Sequence, residues 1–469
     1  MLGRAATALT HSSRALRIKN RHACSAGSSD FDVVVAGGGV VGASVAYHLK
    51  AAAPALRVCV VERDPQYSHA SAPRSAGGIR QQFSLRANIE LSLYGLDFIR
   101  TASANLRLPG EDAPDMQFKE QGYLFLASEA GESTLRSNHA TQRAAGASTT
   151  LLDPSALAAR FPWLNLDGVS LGCFGEQGEG WFDPYALQMA LRGKAREMGV
   201  TFVHGSVRGL ECEPDVSADA ADGCDRLRVT AVNVHDASSG FDVTIGAGHV
   251  VNAAGAFAAE IVNMCGGGSS SSGGGHASGI PLPVVAPLPV AARKRCIFAV
   301  NTPGGASSAA VPPSGSTPLV VDPSGVYFRP EGPAGRFLCG VSPPASHADP
   351  DCHDVAQLEE VDHSLFEEVI WPALYTRCAA FEALKVQASW SGFYEYNTVD
   401  QNAIIGRHPH VPNLVLCNGF SGHGLQQAPG AGRAVAELLV AGSYQTVDVG
   451  CFGFERFLRN EPVFEQNIV

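Results

Sequence analysis

The sequence predicts an α/β fold organised around a Rossmann-like βαβ unit, and three observations predict it. A valine-rich run, 31-FDVVVA-36, leads directly into 37-GGGVVG-42, which places four glycines in six positions. Ala43, Val45, Ala46 and Leu49 then recur at helical spacing. A second apolar run, 57-RVCVVERD-64, contains an acid, Glu62, twenty residues after Gly42. At 469 residues the chain exceeds one compact core and points to two domains or one elaborated α/β unit.

Each element has its physical reason. A short valine run suits a parallel strand buried on both faces. Gly37, Gly39 and Gly42 form G-x-G-x-x-G. The first glycine makes the tight turn, the second admits a pyrophosphate, and the third lets helix and strand pack closely. The helix N-terminus then faces the phosphates. Glu62, at the end of the second strand, accepts hydrogen bonds from a ribose. The fingerprint predicts dinucleotide binding but does not separate FAD from NAD.

Composition removes several function classes. Apolar residues make up 45% and charged residues 17%, an ordinary globular balance. The formal net charge of −11 argues against nucleic acid as a partner. No run of 18 or more apolar residues implies a transmembrane segment. Twelve cysteines occur singly, with no CxxC pair and no Cys/His cluster at zinc spacing, which favours reduced thiols over a disulfide frame or a metal site. Residues 1–29 differ from the rest. They carry Arg4, Arg14, Arg17, Lys19 and Arg21 and no acid, with Leu2, Leu9 and Leu16 on one helical face. That is the pattern of a mitochondrial presequence, and it predicts the matrix or the matrix face of the inner membrane.

Three later stretches favour FAD. In 249-HVVNAAGAFAAE-260 an apolar strand runs into Ala-Ala-Gly and a helix. In 180-GWFDPYALQMALRGKAREMGVTFVHGSV-207, Asp183 and Pro184 fit N-cap and N1 of a helix ending near Gly199, and a strand follows. In 414-LVLCNGFSGHGLQQAPGAGRAVAELL-439 a strand enters glycines 419, 422 and 424 ahead of another helix. Backbone amides exposed at a helix N-terminus suit an electron-rich acceptor such as the N1/C2=O end of a reduced flavin.

With these stretches in view, the chain resembles the D-amino-acid oxidase-like flavoprotein superfamily, which includes sarcosine oxidase, glycine oxidase and dimethylglycine dehydrogenase. The likeness runs from about Phe31 to the C-terminus. It is carried by VVERD (60–64), SAGGIRQQFSL (75–85), EGWFDP (179–184), VNAAGAFAAE (251–260), RKR (293–295), DQN (400–402) and GFSGHGLQQAPG (419–430). It resembles most a mitochondrial subgroup linked to assembly of respiratory complex I.

The resemblance implies a Rossmann-like, glutathione-reductase-like βαβ FAD-binding domain with an interleaved α+β substrate domain built on a large mixed sheet. The FAD-binding domain is assembled from residues 30–117, 179–265 and 391–469, and the substrate domain from 118–178 and 280–390. Strand-like stretches GYLFLAS (122–128), KRCIFAV (294–300), GVYFRP (325–330) and RFLCGV (336–341) would supply the mixed sheet. The low-complexity stretches 266–279 and 303–318 read as surface loops. The cofactor-binding positions that the resemblance implies are Gly37, Gly39, Val40, Val41, Gly42, Glu62, Arg63, Gly77, Gly78, Ile79, Val207, Ala254, Gly255, Gly392, Gly422, His423, Gly424, Leu425 and Gln426. Arg80 is the implied residue beside the flavin ring, and the implied partners are FAD, a small amine or amino acid, and complex I subunits or assembly intermediates.

The departures from the family pattern carry expectations of their own. Sarcosine oxidase of the monomeric kind holds its flavin through a cysteine thioether, and Phe393 stands at that position, so FAD is expected to be noncovalent. A lysine near flavin N5 that promotes reaction with oxygen is replaced by Leu338, which favours a dehydrogenase over an oxidase. The arginine and lysine that clamp the substrate carboxylate are replaced by Phe83 and Gln426. Arg293, Lys294, Arg295 and Arg329 are alternative cations on pocket strands, each of which could equally be a solvated surface charge. His423 either fills space against the backbone or transfers a proton. Tyr327, Tyr394 and Tyr396 either line the pocket or pack in the sheet. Two function classes stay open: an FAD-dependent oxidoreductase acting on a C–N bond, and a non-catalytic FAD-holding assembly factor. The GFSGHG loop disfavours a third, an NAD-dependent dehydrogenase.

Overall fold

The computed structural model describes residues 30–215, 226–266, 285–303 and 311–466. The expected presequence, residues 1–29, and nearly all of the 266–279 stretch lie outside the described residues.

Five parallel strands form the heart of a seven-stranded sheet. In spatial order they are Thr201–Pro214, Val58–Glu62, Asp30–Ala36, Phe241–Asn252 and Val411–Asn418. Val35 lies opposite Val60 on one side and Val251 on the other, and Val251 lies opposite Val415. All four are fully buried, as a strand covered on both faces requires. Each such side chain stabilises the fold by about 1.5–3 kcal/mol relative to exposure. Ile404–His408 adds an antiparallel edge, and Leu227–Asp236 pairs with the overhanging parts of 201–214 and 241–252.

Three helices cover one face. Val40–Ala52 packs against Pro184–Glu197 and Gly424–Val440. The last contact is close because small residues meet there. A Cβ on Gly432 would lie 2.3 Å from Ser44 Oγ. The Asp183 carboxylate accepts from the amides of Tyr185 and Ala186, with Pro184 at the first helical position, as the sequence predicts. The expected helix after 249-HVVNAAG-255 is shorter than the pattern suggests: a 3-10 turn at Gly255–Phe257 precedes a single short helix, Ala258–Asn263.

The second sheet has eight strands in the order Lys385–Asn397, Val290–Asn301, Arg336–Gly340, Tyr327–Pro330, Leu319–Val321, Tyr123–Ala127, Leu171–Gly175 and Thr149–Leu152. All four stretches expected to supply a mixed sheet fall in it. Strand 385–397 stays in this sheet along its whole length, seven residues beyond the boundary placed at 390. A two-residue ribbon, Gly78–Ile79 with Gly180–Trp181, lies between the sheets. Gln82 adds a side-chain bond to the Tyr123 carbonyl at 3.0 Å.

Candidate cofactor site and active site

The turn after the first strand is shaped by three different demands. Gly37 has φ +97°, and a Cβ there would lie 2.4 Å from the Ala253 carbonyl oxygen. A Cβ on Gly42 would fall 1.9 Å from the Gly37 carbonyl oxygen. A Cβ on Gly39 would meet nothing within 4 Å, because Gly39 faces an open cleft. Two of the glycines are therefore needed by the protein itself, and the middle one is needed only by something that enters the cleft. The 40–52 helix starts at this point with no side-chain cap and no acid in its first turn, so its N-terminal field is free for an anion.

Glu62 closes the turn. Its Oε2 accepts the Gly38 amide at 2.7 Å and its Oε1 the Asp64 amide at 2.8 Å. Burial raises the carboxyl above its ordinary range, against the pull of these two amides. Arg63 lies over the Phe257 ring at 3.9 Å. Val40, Val41, Val207, Ala254 and Gly255 complete this wall of the cleft, together with Phe393. Tyr67 and Gln188 also line the cleft, with their side chains against one another.

The other cluster gathers at the ribbon between the sheets. The Arg80 amide donates to Gln426 Oε1 at 2.7 Å, and the Arg80 guanidinium contacts His423 Nε2 at 3.2 Å and donates to the Gln82 carbonyl. The guanidinium sits 4.0 Å from the Phe83 ring centroid and 5.1 Å from that of Phe125. His423 stands edge-on to Phe83 at 5.0 Å. Burial, with the Arg80 charge beside it, lowers His423 to about 3. It is therefore neutral at physiological pH and accepts from Arg80. Glu179 braces the same loop from below: Oε1 takes the Gln81 amide and Oε2 the Gln82 side chain, each at 2.7 Å. Complete burial pushes its carboxyl up to about 7.

Gly37, Gly39, Val40, Val41, Glu62, Arg63, Val207, Ala254 and Gly255 share the cleft wall, and Gly42 packs directly beneath it. Arg80, His423 and Gln426 meet through direct bonds, with Ile79 in the ribbon and Gly424 and Leu425 opening the 424–440 helix. Gly77 has φ +73° and Gly422 φ +88°, positions where a side chain is strained. A Cβ on Gly78 would touch the Tyr123 ring, and one on Gly392 would lie 3.0 Å from Arg74 Cβ.

The alternative cations are occupied. Lys294 donates to the carbonyls of Gln357 and Glu360. Arg295 binds Asp349 through two bonds, Arg293 lies 3.3 Å from Asp351, and Arg329 donates to the Ala76 carbonyl and pairs with Glu331. Tyr394 donates to the Ser421 carbonyl at 2.5 Å, and Arg295 lies 4.4 Å above its ring. Sequence reasoning missed Glu179 and Glu395. Glu179 opens EGWFDP, and an acid beside a glycine ahead of a helix cap was a signal open to reading. Glu395 sits in 392-GFYEYN-397 with no spacing signal of its own.

The glycine cradle, the acid at the second strand and the two facing sheets define a dinucleotide-binding α/β oxidoreductase fold with a covering sheet domain. The chain belongs to the DAO family of FAD dependent oxidoreductases, whose match spans residues 32–438. It is 44% identical over 443 residues to FAD-dependent oxidoreductase domain-containing protein 1 of Xenopus laevis, covering 93% of this chain and 85% of the relative. Mitochondrial dimethylglycine dehydrogenase of Rattus norvegicus is 29% identical over 243 residues, 50% of this chain and 24% of that one. Among solved structures, L-proline dehydrogenase from P. horikoshii shares the fold with a TM-score of 0.71 at 24% identity, covering 93% of this chain and 100% of that one. The protein is thus an FAD-dependent oxidoreductase of the DAO family, and FAD is its cofactor.

Proposed function

We propose that the protein is a dehydrogenase that oxidises a C–N bond of a small amino acid or N-methyl amine with noncovalent FAD, and that it reacts slowly with oxygen. The observation that carries this reading is the pair Phe393 and Leu338. Phe393 packs edge-on to Phe257 at 4.9 Å in the cleft wall, where a phenyl ring can form no thioether. Leu338 is buried in the covering sheet opposite Ala299 and Arg329. The Arg329 guanidinium is already bonded to Ala76, Pro330 and Glu331, so it offers little to a developing anion on oxygen.

FAD, when bound, supplies the acceptor for a hydride. The chain does the rest. Gly37 to Val41 would present backbone to the pyrophosphate, and Glu62 would accept from the ribose. Arg80 would hold a positive charge beside the ring and is itself fixed by Gln82, His423 and Phe83. Neutral His423 adds no second charge. The aromatic walls around Arg80, formed by Phe83, Tyr123 and Phe125, would exclude water from the space beside it.

Acid precipitation is expected to release one free yellow flavin per chain. Colour retained in the pellet would contradict the noncovalent assignment. We place the protein in the mitochondrial matrix or on the matrix face of the inner membrane. The support is the basic, acid-free stretch 1–29. A fusion of residues 1–29 to a reporter should enter mitochondria; cytosolic retention would refute this. The likeness to a subgroup linked to respiratory complex I supports a role in its assembly. Arg80→Ala removes the ring-side cation and leaves the glycine cradle untouched, so FAD is expected to stay bound. In cells lacking the protein this variant is expected to fail to restore complex I. Full restoration would instead favour a scaffold that needs no flavin chemistry.

A further inference from the structure

A carboxylate stands at the helix end from which the cofactor ring would draw positive potential. Glu395 lies two residues beyond Phe393 on strand 385–397, so both side chains look into the cofactor cleft. Its Oε2 accepts the Gly419 amide at 2.9 Å. A Cβ on Gly424 would lie 3.1 Å from its Oε1. Gly424 opens the 17-residue helix 424–440, which has no side-chain cap and no acid in its first turn. The N-terminus of such a helix carries roughly half a positive charge. Glu395 already takes part of it. The residue is only half-buried, and the cleft is the space it faces.

We propose that Glu395 is a positioning residue for electron transfer: its carboxylate competes with the bound cofactor for the N-terminal field of the 424–440 helix and so lowers the cofactor's affinity for electrons. The proposal rests on the reading that the 419–424 loop receives the pyrimidine end of the flavin. Electrons entering the ring add negative charge there, which a neighbouring carboxylate opposes and a neutral carboxyl does not. Burial raises the Glu395 carboxyl to about 7, while the amides of Gly419 and Phe420 pull the other way. The opposition is therefore strong above that pH and weak below it.

Several charged and titratable groups surround Glu395. Tyr394 is pushed up to about 12 by burial and Cys417 is pushed up as well, so both stay neutral. Arg293 and Arg295 lie against Tyr396 and Tyr394, on the opposite face of the strand pair. Lys294 shares the Glu395 face but gives its ammonium to the carbonyls of Gln357 and Glu360. His423 is neutral and turned to Arg80. Glu62, Arg63 and His69 line the same cleft at the glycine turn, and Glu179, raised to about 7 by burial, lies with Arg80 at the ribbon.

The test is a potentiometric titration of the FAD-loaded protein and of Glu395→Gln, which keeps an acceptor for Gly419, at about pH 8.5 and about pH 6. At the higher pH the variant is expected to favour the reduced cofactor at least tenfold over the unmodified protein, about 30 mV for a two-electron couple. At the lower pH the gap is expected to fall to less than half. Equal potentials at the higher pH, or an equal gap at both, would overturn the proposal. If the variant fails to fold or to hold FAD, Glu179→Gln is titrated in its place, because Glu179 is the other carboxyl raised to about 7 near the ring: a steeper fall of potential around pH 7 is expected to survive this change, and its loss would overturn the idea. Protein that takes up no FAD would defeat the underlying reading as well, whereas FAD uptake with an unmoved potential defeats only this proposal.

Discussion

Gly39→Val is expected to give a folded, colourless protein. A Cβ at this position meets no atom of the chain within 4 Å, so the substitution costs the apo fold only the backbone preference of a β-branched residue at a helix N-cap. The same side chain projects into the space that the pyrophosphate would occupy, so FAD affinity is expected to fall by at least a thousandfold, about 4 kcal/mol. Gly42→Ala is the contrasting control. Its methyl group would lie 1.9 Å from the Gly37 carbonyl oxygen, so helix and turn must separate. Overpacking of this kind costs about 1–3 kcal/mol or more and should lower soluble yield with or without FAD. Thermal unfolding with and without added FAD separates the two outcomes. A Gly39→Val protein that binds FAD normally would show that the cleft is not the pyrophosphate site.

Asp400→Ala is expected to destabilise the fold by about 3–5 kcal/mol. Asp400 and Arg456 form a buried ion pair with bonds of 2.7 and 3.0 Å, and both are almost wholly removed from solvent. Asp400 also accepts from the Asn397 side chain and the Val463 amide. Arg456 further donates to the carbonyls of Phe452, Ala403 and Gly453. The pair ties the end of the covering sheet to the C-terminal segment. Removing the carboxylate leaves the guanidinium uncompensated, whereas removing both charges does not. The double substitution Asp400→Ala with Arg456→Met should therefore recover part of the loss, read from urea unfolding midpoints. Strict additivity of the two single changes would contradict the coupling.

These two cases show what was legible in the sequence. The glycine turn was legible because its requirements are local: strand, turn and helix follow one another, and each glycine has a spacing that states its task. The structure then divides those tasks, with Gly37 and Gly42 answering to the chain and Gly39 to the cleft. The DQN motif was legible as a likeness but not as a role. Its acid works across 56 residues to reach Arg456, and no periodicity announces a partner at that distance. The four stretches expected in the covering sheet were legible from their apolar runs, but the passage of strand 385–397 through 390 was not, because Ser391-Gly392 reads as a turn and the strand goes from exposed to buried without alternating. Glu395 offered no spacing signal, and Glu179 stood in EGWFDP without a role of its own being read there. Burial, not sequence spacing, makes a carboxylate unusual. The cations Lys294, Arg295 and Arg329 were visible as residues, yet only their carbonyl and carboxylate partners show that they are engaged.

The most direct measurement of the central claim is anaerobic mixing of the FAD-loaded protein with N-methyl amino acids and proline, followed by admission of air, with the flavin absorbance and hydrogen peroxide recorded throughout. The flavin is expected to bleach with at least one of these amines and to recover its colour slowly in air, with peroxide lagging far behind reduction. Rapid recovery with peroxide formed in step with sarcosine consumption would contradict a dehydrogenase built around Phe393 and Leu338.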